Sequence, residues 1–189
     1  GSLGNSGFPT PYNTSLLHPD DVSDLIINAV NSEPFALSNR IMLENNTGKF
    51  LKGLAILRRS LKDRVQVHIG IDDRDEEIIE KINNGVDWLN IQPLKPKYPQ
   101  DHDVILAETL LNKKIPYGGF VSDIHAVVLD VQAVIHAYEA VMEGKPVIER
   151  VIALGGSGLG GGLFLKVRVG TPLKHIIASR TGTAENRYI

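Results

Sequence analysis

Asn28, Asn31 and Glu33 stand within a few residues of one another in the stretch Asp24-Leu25-Ile26-Ile27-Asn28-Ala29-Val30-Asn31-Ser32-Glu33-Pro34. The short apolar run reads as a strand ending at Asn28. Pro34 disfavours helix at Glu33, so the polar groups fall on an extended loop ahead of the next helix. In an open α/β sheet, the loop that follows a parallel strand is where ligands sit. Upstream, Gly4-Asn5-Ser6-Gly7-Phe8-Pro9-Thr10 is a glycine loop whose backbone N–H groups can approach and cradle a phosphate. Taken alone, it suits a flexible N-terminal tail slightly better.

Other constellations carry less. Asp101-His102-Asp103 offers metal-ligand types, but three adjacent residues do not converge on one ion, and acids at a helix N-terminus explain them. His136 and Glu139 lie three residues apart on one helix face, without the second such pair that a carboxylate-bridged diiron site requires; surface or packing roles are expected. Gly156-Ser157-Gly158-Leu159-Gly160-Gly161 satisfies the GxGxxG pattern after a strand. The dinucleotide fingerprint needs a helix next, whereas Leu163 to Val169 reads as a strand, so a hairpin turn is expected; a phosphate-loop lysine is also missing. No Ser-His-Asp or Cys-His arrangement can be assembled, and no general acid or base stands out.

The elements that must position these groups alternate. Strands are expected at Leu25–Asn28, Val65–Ile71, Trp88–Ile91 and Ile124–Leu129. Helical periodicity runs through Leu37–Leu61, divided near Asn45-Asn46-Thr47-Gly48, and through Glu76–Asn83, Val104–Leu111 and Gln132–Met142. Asp101 or Asp103 is expected to cap the third of these helices and Gly85 to end the second. Pro93, Pro96 and Pro99 predict a stiff, extended connection. This order predicts a Rossmann-like α/β domain, a parallel sheet with helices on both faces. The order then changes to two strands joined by glycines and a short helix from Pro172 to Ala178, which predicts a second, smaller module.

The 189 residues suit one ordinary domain with an appendage, and 42% hydrophobic content is enough for a core. A net charge of −2 gives no footprint for nucleic acid or a membrane surface. The absence of cysteine excludes disulfides and cysteine-held iron–sulfur clusters within this segment. The most apolar stretch, Val151 to Val167, is interrupted by glycines and carries Lys166, so it fails as a membrane span, and no signal peptide is visible. Gly1 reads as a cloning remnant and Tyr188-Ile189 as the middle of a strand, so a fragment of a longer polypeptide is expected.

A glycine loop ending in GFPT, a strand ending in NA, and then EP resemble, in that order, the C subunit of Rnf electron-transport complexes. They are also similar to the flavin-binding subunit of respiratory complex I and to the A subunit of the sodium-pumping NADH:quinone reductase. Lys97-Tyr98-Pro99, the segment Leu110 to Gly119 ending IPYGG, and Gly144-Lys145-Pro146-Val147-Ile148-Glu149-Arg150-Val151 agree with the resemblance, which runs over nearly the whole chain. It implies residues 1–20 as a ligand-approaching loop, 21–146 as the Rossmann-like domain, and 147–189 as the opening of a β-grasp module of the SLBB type. It also implies an FMN and NAD(H) pocket lined by Gly4, Gly7, Asn28, Asn31, Glu33, Tyr98 and Asp130, with iron–sulfur clusters elsewhere in the full-length protein. The partners implied are the other subunits of a membrane electron-transport complex, with this subunit peripheral on the cytoplasmic face of the inner membrane.

The chain departs from the flavin-binding pattern at several points. Pro11-Tyr12-Asn13-Thr14 lacks the lysine that follows GFPT. Val30 and Asn31 replace acidic residues, and Ser38-Asn39-Arg40 replaces an aspartate-containing motif. Bulkier polar groups stand near His102 where glycines are usual, and Asp130-Val131-Gln132 replaces asparagines and a glycine. Two functional readings therefore stand side by side: a redox domain of a peripheral electron-transport subunit, or a scaffolding module that has kept the fold and lost the flavin. An unrelated nucleotide-binding enzyme using the Gly155 to Gly162 turn is a third, dependent on a helix directly after that turn.

Overall fold

The computed structural model describes residues 18–32, 37–61, 63–155 and 162–178. At its centre lies β1 (Asp24–Ala29), flanked by β2 (Gln66–Asp72) and β4 (Ala126–Asp130), with β3 (Leu89–Leu94) outside β2. All three pairings are parallel, in the order β3-β2-β1-β4. β1 is apolar through Leu25, Ile26 and Ile27 because a parallel strand covered on both faces has no side to give to water. Leu25, Ile27 and Ala29 face one cluster with Leu43, Phe50 and Leu54, while Ile26 and Val30 face a second with Leu106, Ala107 and Val128. This period-two division puts helices on both faces, as the sequence predicted.

The first face is covered by α1 (Ser38–Ser60), α2 (Glu76–Asn83) and α4 (Val131–Met142), and the second by α3 (Asp103–Leu111). From β1 the chain steps outward through β2 to β3, then returns behind the sheet through α3 to β4 on the other side of β1. The direction of winding therefore reverses between β1 and β4, which makes the crevice above their C-terminal ends the topological switch point.

Several boundaries differ from expectation for identifiable reasons. α1 is one helix with non-helical angles only at Asn46 (φ −134°), so the division is a kink. The side chains of Asn45, Asn46 and Thr47 donate to the carbonyls of Ile41, Met42 and Leu43 at 2.9, 3.1 and 2.6 Å, which satisfies the backbone across the bend. β3 runs on through Pro93 to Leu94, because an outer strand can spare the missing N–H. Neither Asp101 nor Asp103 caps α3; its N-cap is His102, with Asp103 in the first turn. Val121–Ile124 forms a short 3₁₀ turn, so β4 begins only at Ala126. α2 does stop at Gly85, which follows the Asn84 C-cap and donates to the Ile82 carbonyl at 3.0 Å; a Cβ there would also lie 2.4 Å from Leu51 Cδ1.

At the N-terminal edge of the sheet, buried Asp24 receives Ser23 Oγ at 2.7 Å, Lys113 Nζ at 2.9 Å and His68 Nε2 at 3.0 Å. Burial pushes this carboxyl up, but the hydrogen bonds from His68, Lys113 and Ser23 outweigh it and hold Asp24 well below the usual carboxylate range. The cluster ties the connection after α3 to β1, at the edge opposite the switch point.

Beyond α4, β5 (Glu149–Leu154) and β6 (Leu163–Arg168) pair antiparallel and lead to α5 (Leu173–Ala178). The strand–strand–helix order is the one expected. A strand, not a helix, follows the glycine-rich run, and this removes the reading of that run as a dinucleotide fingerprint.

Candidate functional site

The switch point is built from the end of β1 outward. Asn28 lies in register with Asp130 on β4 and with Gly70 on β2. Its side-chain nitrogen donates to the Asp101 carbonyl at 2.7 Å, drawing the loop before α3 over the sheet edge, and its oxygen accepts from the Val30 N–H at 3.3 Å. Asn39, in the first turn of α1, donates to the carbonyls of Asn28 and Val30 at 3.4 and 3.3 Å. A strand end leaves backbone groups unpaired, and here two asparagine amides take them up.

Asn31 and Ser32 follow, both buried. The Asn31 amide nitrogen reaches only the Ala29 carbonyl, at 3.5 Å. Asn31 Oδ1 and Ser32 Oγ have no hydrogen-bond partner among the described residues. A buried polar atom left unpaired costs about 1–3 kcal/mol, and two such atoms stand side by side after the end of β1.

Opposite them, Asp130 is the N-cap of α4: its Oδ1 accepts the Ala133 N–H at 2.6 Å, and its Oδ2 takes a short hydrogen bond from Arg150 of β5. Gln132 completes the link to the hairpin. Its Nε2 donates to the Val151 carbonyl at 2.8 Å and its Oε1 accepts the Val151 N–H at 2.9 Å, so the side-chain amide takes the place of a neighbouring strand along β5.

The same sheet edge carries a charged groove of about 490 Å³ above β2, lined by Arg40, Glu44, Arg74, Asp75, Glu76 and others. Asp72 is held low chiefly by the hydrogen bonds of Arg74, at 2.8 Å from Nε and 2.5 Å from Nη2. Burial pushes Asp75 up, although Arg40 Nη1 stands 3.1 Å away. Arg40 is thus committed to Glu44 and Asp75.

Of the residues the resemblance marks, Asn28 lies beside Asp130 across β1 and β4, and Asn31 follows three residues after Asn28. Tyr98 is largely exposed (76%) on the loop between β3 and α3. Gly4, Gly7 and Glu33 lie outside the described residues. His136 is buried and meets Glu139 at 3.2 Å, which makes its role one of packing; burial pushes its pKa down, against the pull of Glu139. No cluster of His, Cys, Asp or Glu able to hold a metal occurs among the described residues, and none of their helices is long and apolar enough to cross a membrane. Sequence reasoning missed Asn39 as a clamp and the Asp130–Arg150 and Gln132–Val151 links. The signal available was indirect: Arg150 lies in the GKPVIERV stretch, and Gln132 in the triplet that departs from the flavin-binding pattern.

A four-stranded parallel sheet of order β3-β2-β1-β4, covered by helices on both faces, defines a Rossmann-like α/β class of domain. The family model described as the Nuo51 FMN-binding domain matches residues 2–139, and the chain belongs to that family. Among curated relatives, it is 31% identical over 179 residues to the C subunit of the ion-translocating oxidoreductase complex of Cronobacter sakazakii, covering 93% of this chain and 23% of the relative. It is 30% identical over 190 residues to the protein of the same name from Yersinia enterocolitica, covering 98% of this chain and 27% of the relative. The chain thus spans about a quarter of the length of these relatives. In fold it is similar to a chain of the NAD⁺-reducing [NiFe]-hydrogenase in the air-oxidised state, with TM-score 0.72, 14% identity, and coverage of 95% of this chain and 38% of that one. The resemblance to the Rnf C subunit and the complex I flavin subunit is thereby borne out.

Proposed function

We propose that this domain binds FMN in the crevice between β1 and β4 and serves as a redox module of a peripheral subunit in an ion-translocating electron-transport complex. The observation that carries the reading is the pair of buried atoms Asn31 Oδ1 and Ser32 Oγ, without a hydrogen-bond partner among the described residues, beyond the end of β1 in a chain of an FMN-binding family. Both atoms can accept from the hydroxyls of a ribityl chain, and Ser32 can also donate, so the residues present fit a polyhydroxylated ligand. Asn28 and Asn39 fix the backbone that offers them, and Asp130 borders the opposite side. Gly4, Gly7, Glu33 and Tyr98 complete the proposed set. Bound FMN would supply the electron transfer, while the protein binds and orients it.

NAD(H) is the expected electron donor or acceptor at this site, and iron–sulfur clusters would be held by other parts of the full-length subunit. The partners are the remaining subunits of the complex, and the position is peripheral, on the cytoplasmic face of the inner membrane. Residues 147–189 are read as the start of an SLBB-like β-grasp module, a reading supported by the hairpin and the helix after it.

The test is a titration with FMN followed by flavin fluorescence. Asn31→Ala and Ser32→Ala are each expected to weaken binding on the order of tenfold, the worth of one or two hydrogen bonds at a desolvated site. Saturable binding that both variants leave untouched would place the flavin elsewhere. A scaffolding role without flavin is the second reading, favoured by the commitment of both Asp130 oxygens to Ala133 and Arg150. Absence of any FMN or NADH binding would select it.

A further inference from the structure

The chain carries no lysine or arginine before Arg40. Arg40 itself is engaged by Glu44 and Asp75 at the next strand. A phosphate-bearing ligand at the switch point would therefore meet a carboxylate, Asp130, with no cation supplied from the first part of the chain. The cation beside Asp130 comes from β5, past the Rossmann-like domain: Arg150 hydrogen-bonds Asp130 Oδ2, and the two bonds between Gln132 and Val151 fix the register of the strand that carries it.

We propose that the β5–β6 hairpin is a working part of the ligand site, with Arg150 a positioning residue that neutralises and orients Asp130 so that the β1/β4 edge presents no net negative charge to a phosphate monoester. Asp130 is pinned from two directions, its other oxygen holding the Ala133 N–H, so loss of Arg150 would leave a fixed, uncompensated charge at the crevice. This rests on the FMN reading above and adds to it the role of the second module.

FMN and riboflavin share a ring system and a ribityl chain and differ by the phosphate, so their affinity ratio reports the charge alone. Arg150→Gln is expected to weaken FMN about tenfold or more while changing riboflavin less than about twofold, an effect that shrinks with added salt. The double variant Asp130→Asn/Arg150→Gln is expected to recover FMN affinity, and Arg150→Lys to stay near wild type. Gln132→Ala loosens the strand that carries Arg150 without a change of charge and is expected to weaken FMN more than riboflavin, by less than Arg150→Gln does. If Arg150→Gln does not fold, Asp130→Asn carries the test, because it leaves Arg150 unneutralised and should tighten FMN several-fold relative to riboflavin. Equal losses for the two ligands in Arg150→Gln, or no gain for FMN in Asp130→Asn, overturn the inference and leave the flavin reading standing. Failure of the wild-type chain to bind either ligand overturns both.

Discussion

Two glycines of α1 should respond with opposite signs to the same substitution. A Cβ built on Gly53 lies 2.3 Å from the carbonyl oxygen of Val134 and 3.1 Å from both its carbonyl carbon and Cγ1. The obstacle is helix backbone, which cannot rotate away. Reaching even the shortest contact that Cβ atoms tolerate requires α1 and α4 to separate by about 0.7 Å where they cross. Overpacking of this kind costs about 1–3 kcal/mol or somewhat more, against a gain of about 1 kcal/mol from replacing glycine within a helix. Because the contact is with backbone, the upper part of that range applies, and Gly53→Ala is expected to lose about 1–2 kcal/mol net, or roughly 2–8 °C in melting temperature for a chain of this size. At Gly48 the new Cβ meets nothing within 4 Å, so only the propensity gain remains: about 0.5–1 kcal/mol of stabilisation and a rise of roughly 1–4 °C. Because α4 starts at the Asp130 cap, separation of the helices should also disturb the switch point, so Gly53→Ala is expected to weaken FMN binding and Gly48→Ala to leave it unchanged. Urea midpoints and thermal scans of the two variants read the signs directly. A Gly53→Ala protein as stable as wild type would refute the close backbone crossing of α1 and α4.

Asp24 is held below the usual carboxylate range, so its stabilising contribution is full above about pH 4, the unfolded value, and drains away as pH falls further; Asp24→Asn should flatten that acid limb in urea midpoints taken across it. Asp75 has the opposite sign: burial raises it, so its ionised form is a cost at neutral pH. Asp75→Asn is expected to stabilise at pH 7 with an advantage that shrinks as pH falls through the raised value, measured in the same series. Gln132→Ala removes two hydrogen bonds to the β5 backbone, about 1–2 kcal/mol of hairpin docking, and should release the Val151 amide to solvent exchange while the amides of β1 and β2 stay protected.

Much of the architecture was legible because it follows from local periodicity. Leu25-Ile26-Ile27 read as a strand, and its alternation with the amphipathic α2 and the apolar α4 announced a parallel sheet. Asn28 and Asn31 were marked by their place at and after a strand end, and Asp130 by the family resemblance. The chain sequence therefore determined by itself the order of strands and helices and the family resemblance. What it left undecided depended on contacts between residues far apart in the chain. No periodicity relates Arg150 to Asp130, Gln132 to the backbone of Val151, or Asn28 to the carbonyl of Asp101, because each pair meets only after strands and helices have docked. The same holds for Pro93, admitted to β3 because that strand lies at the sheet's outer edge, and for Gly53, whose missing side chain matters only where α4 crosses. Propensity and pattern act over a few residues and fix the elements. The charge and hydrogen-bonding state of the switch point is set by packing across the whole sheet, and that only the tertiary structure decided.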